Sequence, residues 1–244
     1  TFALPARYFA VRRRVPAGSG WRLAGLFALG AAQGGVGWFM VLSGLADRPD
    51  VNHYRLALHL GMAALIFALL LGTAWRLLDP GPHPRQRAAA TRLAPHAAAA
   101  LALVGLTMLW GAFVAGLDAG LAYNTFPDMA GRWVPPEIAN LSPLWLNAFE
   151  NTAGVQFIHR WLAVATVAAV LALCWRVRRA DLLGPAHALA AALALAITAQ
   201  AALGIATLLS RVNLYLATAH QGGAFVTLGV LSLLALSLRH DGGR

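Results

Sequence analysis

Residues 213–238 read NLYLATAHQGGAFVTLGVLSLLALSL, an apolar run with no acid and no arginine but one histidine, His220, near its first end. About 20 such residues are enough to cross a bilayer. Hydrocarbon offers no water to satisfy backbone N–H and C=O groups, so the run is predicted to be a helix. A histidine in that setting is costly to desolvate and is rarely kept there without a task.

Five more segments read the same way: residues 21–45, 54–78, 95–117, 154–176 and 185–209. Two of them repeat the placement of His220, with His59 and His159 a few residues inside and at the corresponding end. The fold class that follows is all-α, a polytopic membrane protein with six transmembrane helices. A composition 59% hydrophobic and only 11% charged agrees, and excludes an ordinary soluble domain.

Charge gives the orientation. The net charge of +10 comes from 19 basic residues, every one Arg, against 9 acids. A nucleic-acid-binding protein would gather them on one soluble face. Here they fall in short connections: Arg12, Arg13 and Arg14 before the first segment, then Arg76, Arg85, Arg87 and Arg92 between the second and third. Arg176, Arg178 and Arg179 follow the fourth, and Arg239 and Arg244 the sixth. These positions alternate and so share one side, which the positive-inside rule assigns to the cytoplasm. The expected location is the cell inner (plasma) membrane, multi-pass, with both visible termini cytoplasmic and no nucleic-acid partner. The lone Cys174, at the cytoplasmic end of the fourth helix, reads as a small apolar filler. His53, His83, His96, His187 and His240, in loops or at helix ends, read as solvated.

The chain also repeats itself. Ala32, Gln33, Gly37, Leu42 and Ser43 align without gaps on Ala199, Gln200, Gly204, Leu209 and Ser210, and Tyr54, His59 and Gly61 then match Tyr215, His220 and Gly222. The later copy is preceded by two helices, the second carrying His159 and ending in Val177-Arg178-Arg179. The earlier copy is preceded by residues 1–20, where Val11-Arg12-Arg13 match that ending. A pseudo-symmetric four-plus-four helix bundle is expected, of which this chain lacks the first helix and most of the second. The division is 1–20, the tail of a truncated helix and a cytoplasmic loop; 21–94, the remainder of the N-terminal half; and 95–244, the C-terminal four-helix half.

Neutral imidazole is a good axial ligand for haem iron, and helical bundles build such sites from facing helices. At 1.5 Å rise per residue, His159 and His220 lie roughly 8 to 10 Å inside their helices and could face each other across a porphyrin. His59 is the His220 of the other half. Hydrogen-bonded packing histidines are the bland alternative. Zinc would want additional Cys, Asp or Glu that the segments do not offer. A solute transporter also suits an internal repeat, but no midplane carboxylate is present. Arg55, Arg160 and Arg211, near the same helix ends, could hold propionates or simply snorkel. Gly61, Gly222 and Gly223 could admit a flat macrocycle or serve close helix packing. The longest connection, from Asp118 to Ala153, opens with Asp118, Tyr123, Asn124 and Thr125, which could bond a buried ligand or shape a turn.

The stretch Gly-Leu-Asp-Ala-Gly-Leu-Ala-Tyr-Asn-Thr-Phe-Pro from Gly116 to Pro127, the entry Gln156-Phe157-Ile158-His159-Arg160-Trp161, the segment from Gln200 to Gly204 and Ala219-His220-Gln221 resemble the haem A synthase family. The first copy, from Gln33 through Asp47-Arg48-Pro49-Asp50 to His59, does so too. The resemblance implies an eight-helix membrane oxidoreductase that converts haem O to haem A for cytochrome c oxidase biogenesis, oxidising a porphyrin methyl to a formyl group. It implies a haem b iron held between His159 and His220 in the C-terminal half, and substrate haem taken up by the N-terminal half with His59 as the catalytic residue and a metal ligand. Implied partners are haem O, the lipid bilayer, a haem O synthase, an electron acceptor and further copies of the chain. The family's other N-terminal histidine and its companion glutamate have no match here. The alternative is a bis-histidine haem b electron-transfer protein without substrate chemistry.

Overall fold

The computed structural model describes residues 19–42, 51–78, 87–182 and 185–238. Among the described residues there are six α-helices: α1 (Gly20–Leu42), α2 (His53–Leu78), α3 (Arg87–Gly116), α4 (Thr152–Arg179), α5 (Ala186–Leu209) and α6 (Leu214–Ser237). All six are long and apolar enough to cross a membrane, and the described residues contain no strand. The protein is an all-helical, multi-pass membrane protein, as its apolar runs require. Arg12, Arg13, Arg14, Arg85, Arg239 and Arg244, with His83 and His240, lie outside the described residues.

Helices α3 to α6 close a four-membered ring, each touching the next and α6 returning to α3. Helix α2 lies against both α3 and α6, and α1 packs on α2. The two ends of this bundle differ in chemistry. Arg76, Arg176, Arg178 and Arg179 stand in the last turns of α2 and α4, where cations complement the helix dipole. The start of α3 is joined to the end of α4 by a hydrogen bond between His96 and Arg176. The acids Asp118, Asp128, Glu137 and Glu150 belong to the connection at the opposite end.

Close packing is concentrated at the arginine end. Ala90, Ala97, Leu173, Val177, Ala190, Leu193, Leu231 and Leu234 are all essentially inaccessible and form one core with Cys174. That core explains a departure from the expected 95–117 segment. Proline inside a helix loses a hydrogen bond and clashes with the preceding turn, at about 3 kcal/mol, so Pro95 reads as a boundary. Helix α3 nevertheless begins at Arg87 and runs through Pro95, because Ala90, Leu93 and Ala97 bury themselves against α4, α5 and α6.

Toward the other end burial thins to a second, smaller cluster of Ala57, Ala112, Phe113 and Val155 between α2, α3 and α4. No residue in 157–165 of α4, 198–209 of α5 or 214–226 of α6 is buried. Residues 117–151, which read as lacking secondary structure, contain three short 3-10 turns: Ala119–Leu121, Pro136–Ala139 and Leu144–Ala148. Asn147 is their hub. Its amide accepts from Leu141 N at 2.9 Å and Asn151 Nδ2 at 2.8 Å, and donates to the carbonyls of Leu141 and Leu144. Asn151 caps α4 by accepting from Ala153 N and Gly154 N, while its own amide donates to Glu137 O. Asn213 caps α6 in the same way, through Tyr215 N and Leu216 N.

The two caps separate loop anchoring from simple capping. Asn213→Ala should cost about 1 kcal/mol. Asn151→Ala should cost about 2 kcal/mol or more, since it also strips a partner from the buried Asn147. Thermal unfolding in detergent should therefore show a clearly larger loss of Tm for Asn151→Ala, and equal losses would refute the anchoring role.

Candidate functional site

The three histidines fall in the layer that the apolar core does not fill. Each rests edge-on against a glycine of the helix that precedes it in the chain. A Cβ added at Gly37 would stand 3.1 Å from His59 Cε1, one at Gly111 would stand 3.2 Å from His159 Cε1, and one at Gly204 only 2.8 Å from His220 Cε1. The ring thus lies where any larger residue would put a side chain. Three helix pairs, α1–α2, α3–α4 and α5–α6, use the same contact.

Residues four before these glycines add a second layer. Gln200 Nε2 donates to the backbone carbonyl of His220 at 2.9 Å, and Gln33 Nε2 donates to that of His59 at 3.0 Å. The third such residue, Thr107, meets Thr166 of α4 at 2.7 Å between hydroxyl oxygens. Gln33 differs from its counterpart in one respect. Its amide also lies 3.4 Å from His59 Nε2, the nitrogen that would otherwise be free.

The ring nitrogens of the C-terminal pair are differently placed. Nδ1 of both His159 and His220 is buried without a hydrogen-bond partner, and the rings' other nitrogens, Nε2, make no hydrogen bond to the protein. The two side chains lie within electrostatic range of one another. Two imidazoles, each with an unbonded Nε2 and backed by a glycine, form a donor set that could hold a haem iron between them. Among the described residues no cluster of His, Cys, Asp and Glu is assembled for another metal.

The arginines have more specific surroundings than the sequence suggested. Arg160 Nη1 donates to the carbonyls of Thr125 (2.8 Å) and Asp128 (2.9 Å), and Nη2 to that of Tyr123 (2.8 Å). It clamps the outer connection onto α4, with Gln156 Nε2 adding a bond to Tyr123 O at 3.0 Å. Its Nε remains buried and unpartnered, one donor left for an acidic group. Arg55 folds back on α1, donating to Phe39 O at 3.0 Å with its guanidinium 3.8 Å over the Phe39 ring. Arg211 is exposed in the left-handed turn between α5 and α6, at φ 57°.

Asn124 is a strut, its amide donating to Gly120 O at 2.8 Å and to Leu208 O at 2.9 Å. Thr125 shapes a turn with Asp128 and Ala130 N, and Asp118 is exposed with φ 51°. Of the glycines expected to admit a macrocycle, Gly222 faces open space. Gly61 packs on Leu109, and Gly223 lies under Gln200. The glycines that do meet histidines were missed as such, although Gly37 and Gly204 stand in the aligned repeat. Gly111 was recoverable from its spacing to Thr107, which matches Gln33 to Gly37.

His53 corrects the solvated reading. It is buried at the start of α2, pressed against Gly116, with Nε2 3.6 Å from Glu150 Oε2, and Tyr54 donates to the same carboxylate. His96 is exposed and His187 half-buried. A shallow cleft of about 480 Å³ opens away from the histidines, lined by Tyr123, Glu137, Asn140, Glu150 and Asn151. There burial, and then donation to Glu137, hold the Tyr123 phenol above its usual range.

Residues 1–232 match the model of the COX15-CtaA family, described as cytochrome oxidase assembly protein. Among curated relatives, the heme A synthase of Rhodospirillum centenum is 58% identical over 230 residues, covering 94% of this chain and 61% of the relative. That of Nitrosospira multiformis is 43% identical over 241 residues, 98% of this chain and 66% of the relative. Heme A synthase COX15 of Arabidopsis thaliana is 42% identical over 247 residues, 98% of this chain and 54% of the relative. The chain thus spans about three fifths of the length of the curated relatives it matches.

The glycine contacts make a steric prediction. Gly204→Ala should displace His220, weakening haem retention about tenfold, the equivalent of an overpacking strain within the usual ~1–3 kcal/mol. Gly105→Ala, where a Cβ meets nothing within 4 Å, should leave retention unchanged. Haem titration monitored by visible absorption would decide, and equal affinities for the two variants would remove the glycine from the site.

Proposed function

The chain belongs to the COX15-CtaA cytochrome oxidase assembly protein family, and on that footing we propose that it is a haem A synthase, a membrane oxidoreductase that converts haem O to haem A. The observation that carries the reading is the pair His159 and His220, each backed by a glycine, with Nδ1 buried and Nε2 unbonded. In this reading residues 95–244 are the haem b half, and residues 21–94 the remaining part of a substrate half that holds haem O through His59. The membrane is the cell inner membrane, with the arginine end cytoplasmic. The partners are a haem O synthase, an electron acceptor and further copies of the chain.

The bound haem b iron supplies one-electron redox chemistry beside the substrate. The protein's residues do the rest by placement. His159 and His220 would hold the haem iron between them, leaving it no open position for water or oxygen, which suits electron transfer. Gly111 and Gly204 leave each imidazole the space in which it lies. The free Nε–H of Arg160 would offer a charge-assisted hydrogen bond to one propionate, and Arg211, exposed in the α5–α6 turn, is the cation available for the other. His59, braced by Gly37 and Gln33, orients the substrate so that its methyl group stays near the redox centre.

One observation favours a second reading, an electron-transfer protein without substrate chemistry: the Gln33 amide occupies His59 Nε2. The two readings separate on extraction of haem from cells supplied with haem O. For a haem A synthase, His159→Ala and His220→Ala should each abolish the bis-histidine spectrum. His59→Ala should preserve that spectrum but eliminate haem A. A chain that keeps the spectrum and yields no haem A even when unsubstituted would establish the electron-transfer reading. A spectrum indifferent to His159 and His220 would sink both.

A further inference from the structure

The outer connection between α3 and α4 buries only Ala119, Met129, Pro135 and Asn147, and is held together by polar bonds of Asn147 and Asn151 and by the carbonyls that Arg160 clamps. Its large apolar side chains point outward. Trp133 and Val134 are each 61% exposed, Leu144 73% and Trp145 62%. They flank the point where the Pro136–Ala139 and Leu144–Ala148 turns touch. Several large apolar groups exposed on one short segment mark an interaction surface.

The height of the segment identifies its partner. Helix α5 carries no Asp, Glu or Arg along Ala186–Leu209, and its 24 residues span about 36 Å, against a hydrocarbon thickness near 30 Å. Its outer end therefore lies at the boundary between acyl chains and headgroups. Asn124 bonds the carbonyl of Leu208 in the last turn of α5, and Gly120 packs against Val212 in the following turn, so the connection lies at that boundary too. At the same level Leu214 and Tyr215, at the start of α6, are 74% and 83% exposed. Amphipathic aromatic rings are enriched at that depth.

We propose that residues 117–151 lie along the outer face of the bilayer, with Trp133, Val134, Leu144 and Trp145 inserted at the headgroup–acyl boundary of the phospholipids. The surface continues the lipid-facing surface of the helices. Because Arg160 ties the same connection to α4 and Asn124 ties it to α5, the anchor holds it across the outer mouth of the histidine layer. The inference does not depend on what that layer binds.

The test uses W133C and W145C, each labelled with an environment-sensitive bimane, in nanodiscs of phosphatidylcholine with or without acyl-brominated phosphatidylcholine. Cys174 is buried, so the unsubstituted chain serves as the labelling blank. Insertion predicts blue-shifted emission, a roughly twofold loss to brominated lipid and little loss to aqueous iodide, as expected for an interfacial ring. Full quenching by iodide with no effect of bromine would place the segment in water and overturn the proposal. So would shielding from both quenchers that disappears at one chain per disc, the mark of an interface between copies. Should the cysteine variants fail to fold, the double variant W133F/W145F gives an independent reading. Brominated lipid should then quench a smaller share of intrinsic tryptophan emission than in the unsubstituted chain, and an unchanged share would count against insertion.

Discussion

Everything at the outer end of this bundle depends on how a planar, polar ring is accommodated between apolar helices. An imidazole in hydrocarbon loses hydration that packing alone does not restore. It also needs a flat space about as wide as a side chain. The structure supplies the space with a glycine and leaves Nδ1 of each ring buried without a partner, so the burial has a cost that the site, and not packing, has to justify. Three helix pairs repeat the contact, at a level where α5 and α6 bury no residue and α2, α3 and α4 keep only the small cluster of Ala57, Ala112, Phe113 and Val155. Leucine and alanine make the larger core at the arginine end.

The connection from α3 to α4 adds polar cohesion to the small apolar cluster of the outer end. Arg160 sits one residue after His159, so its bonds to Tyr123, Thr125 and Asp128 fix the same turn of helix that carries the histidine. Asn124 extends the brace to the end of α5, and Glu150 extends it to Tyr54 and His53 at the start of α2. Polar bonds at the membrane boundary therefore fix the outer ends of α2, α4 and α5 relative to one another. A rigid outer frame around an underpacked layer is what preorganises a ligand site.

The number of helices, their polarity and the depth of the histidines were legible in the sequence because each follows from one-dimensional properties: run length, charge and position along a run. What stayed hidden depends on neighbours. Pro95 reads as a boundary until Ala90 and Leu93 are known to be buried. His53 reads as a solvated loop residue until Gly116 proves to leave room for it. Arg160 looks free until the connection folds back over it. Composition also could not reveal the turns of residues 117–151, since their order comes from Asn147 bonding backbone groups on both sides of itself. The glycine behind each histidine was half legible: the repeat displays Gly37 and Gly204, but only the third pair shows that contact with the ring is what they share.

The same repeat yields two unequal sites, and the shared residues cannot be the cause. Gln33 and Gln200 each bond the backbone of their histidine, yet only Gln33 reaches the ring. The difference must lie in what surrounds each helix. Helix α5 is held between α4 and α6 and is pinned at its end by Asn124, whereas α1 packs principally on α2 and is joined to it near the site by Arg55 and Phe39. A helix fixed on several sides keeps its glutamine at the carbonyl and leaves Nε2 of the histidine open. One that leans on a single neighbour lets the amide settle onto the ring. Unequal bracing of equal motifs thus gives the two copies of one helix pair different surroundings for their histidines.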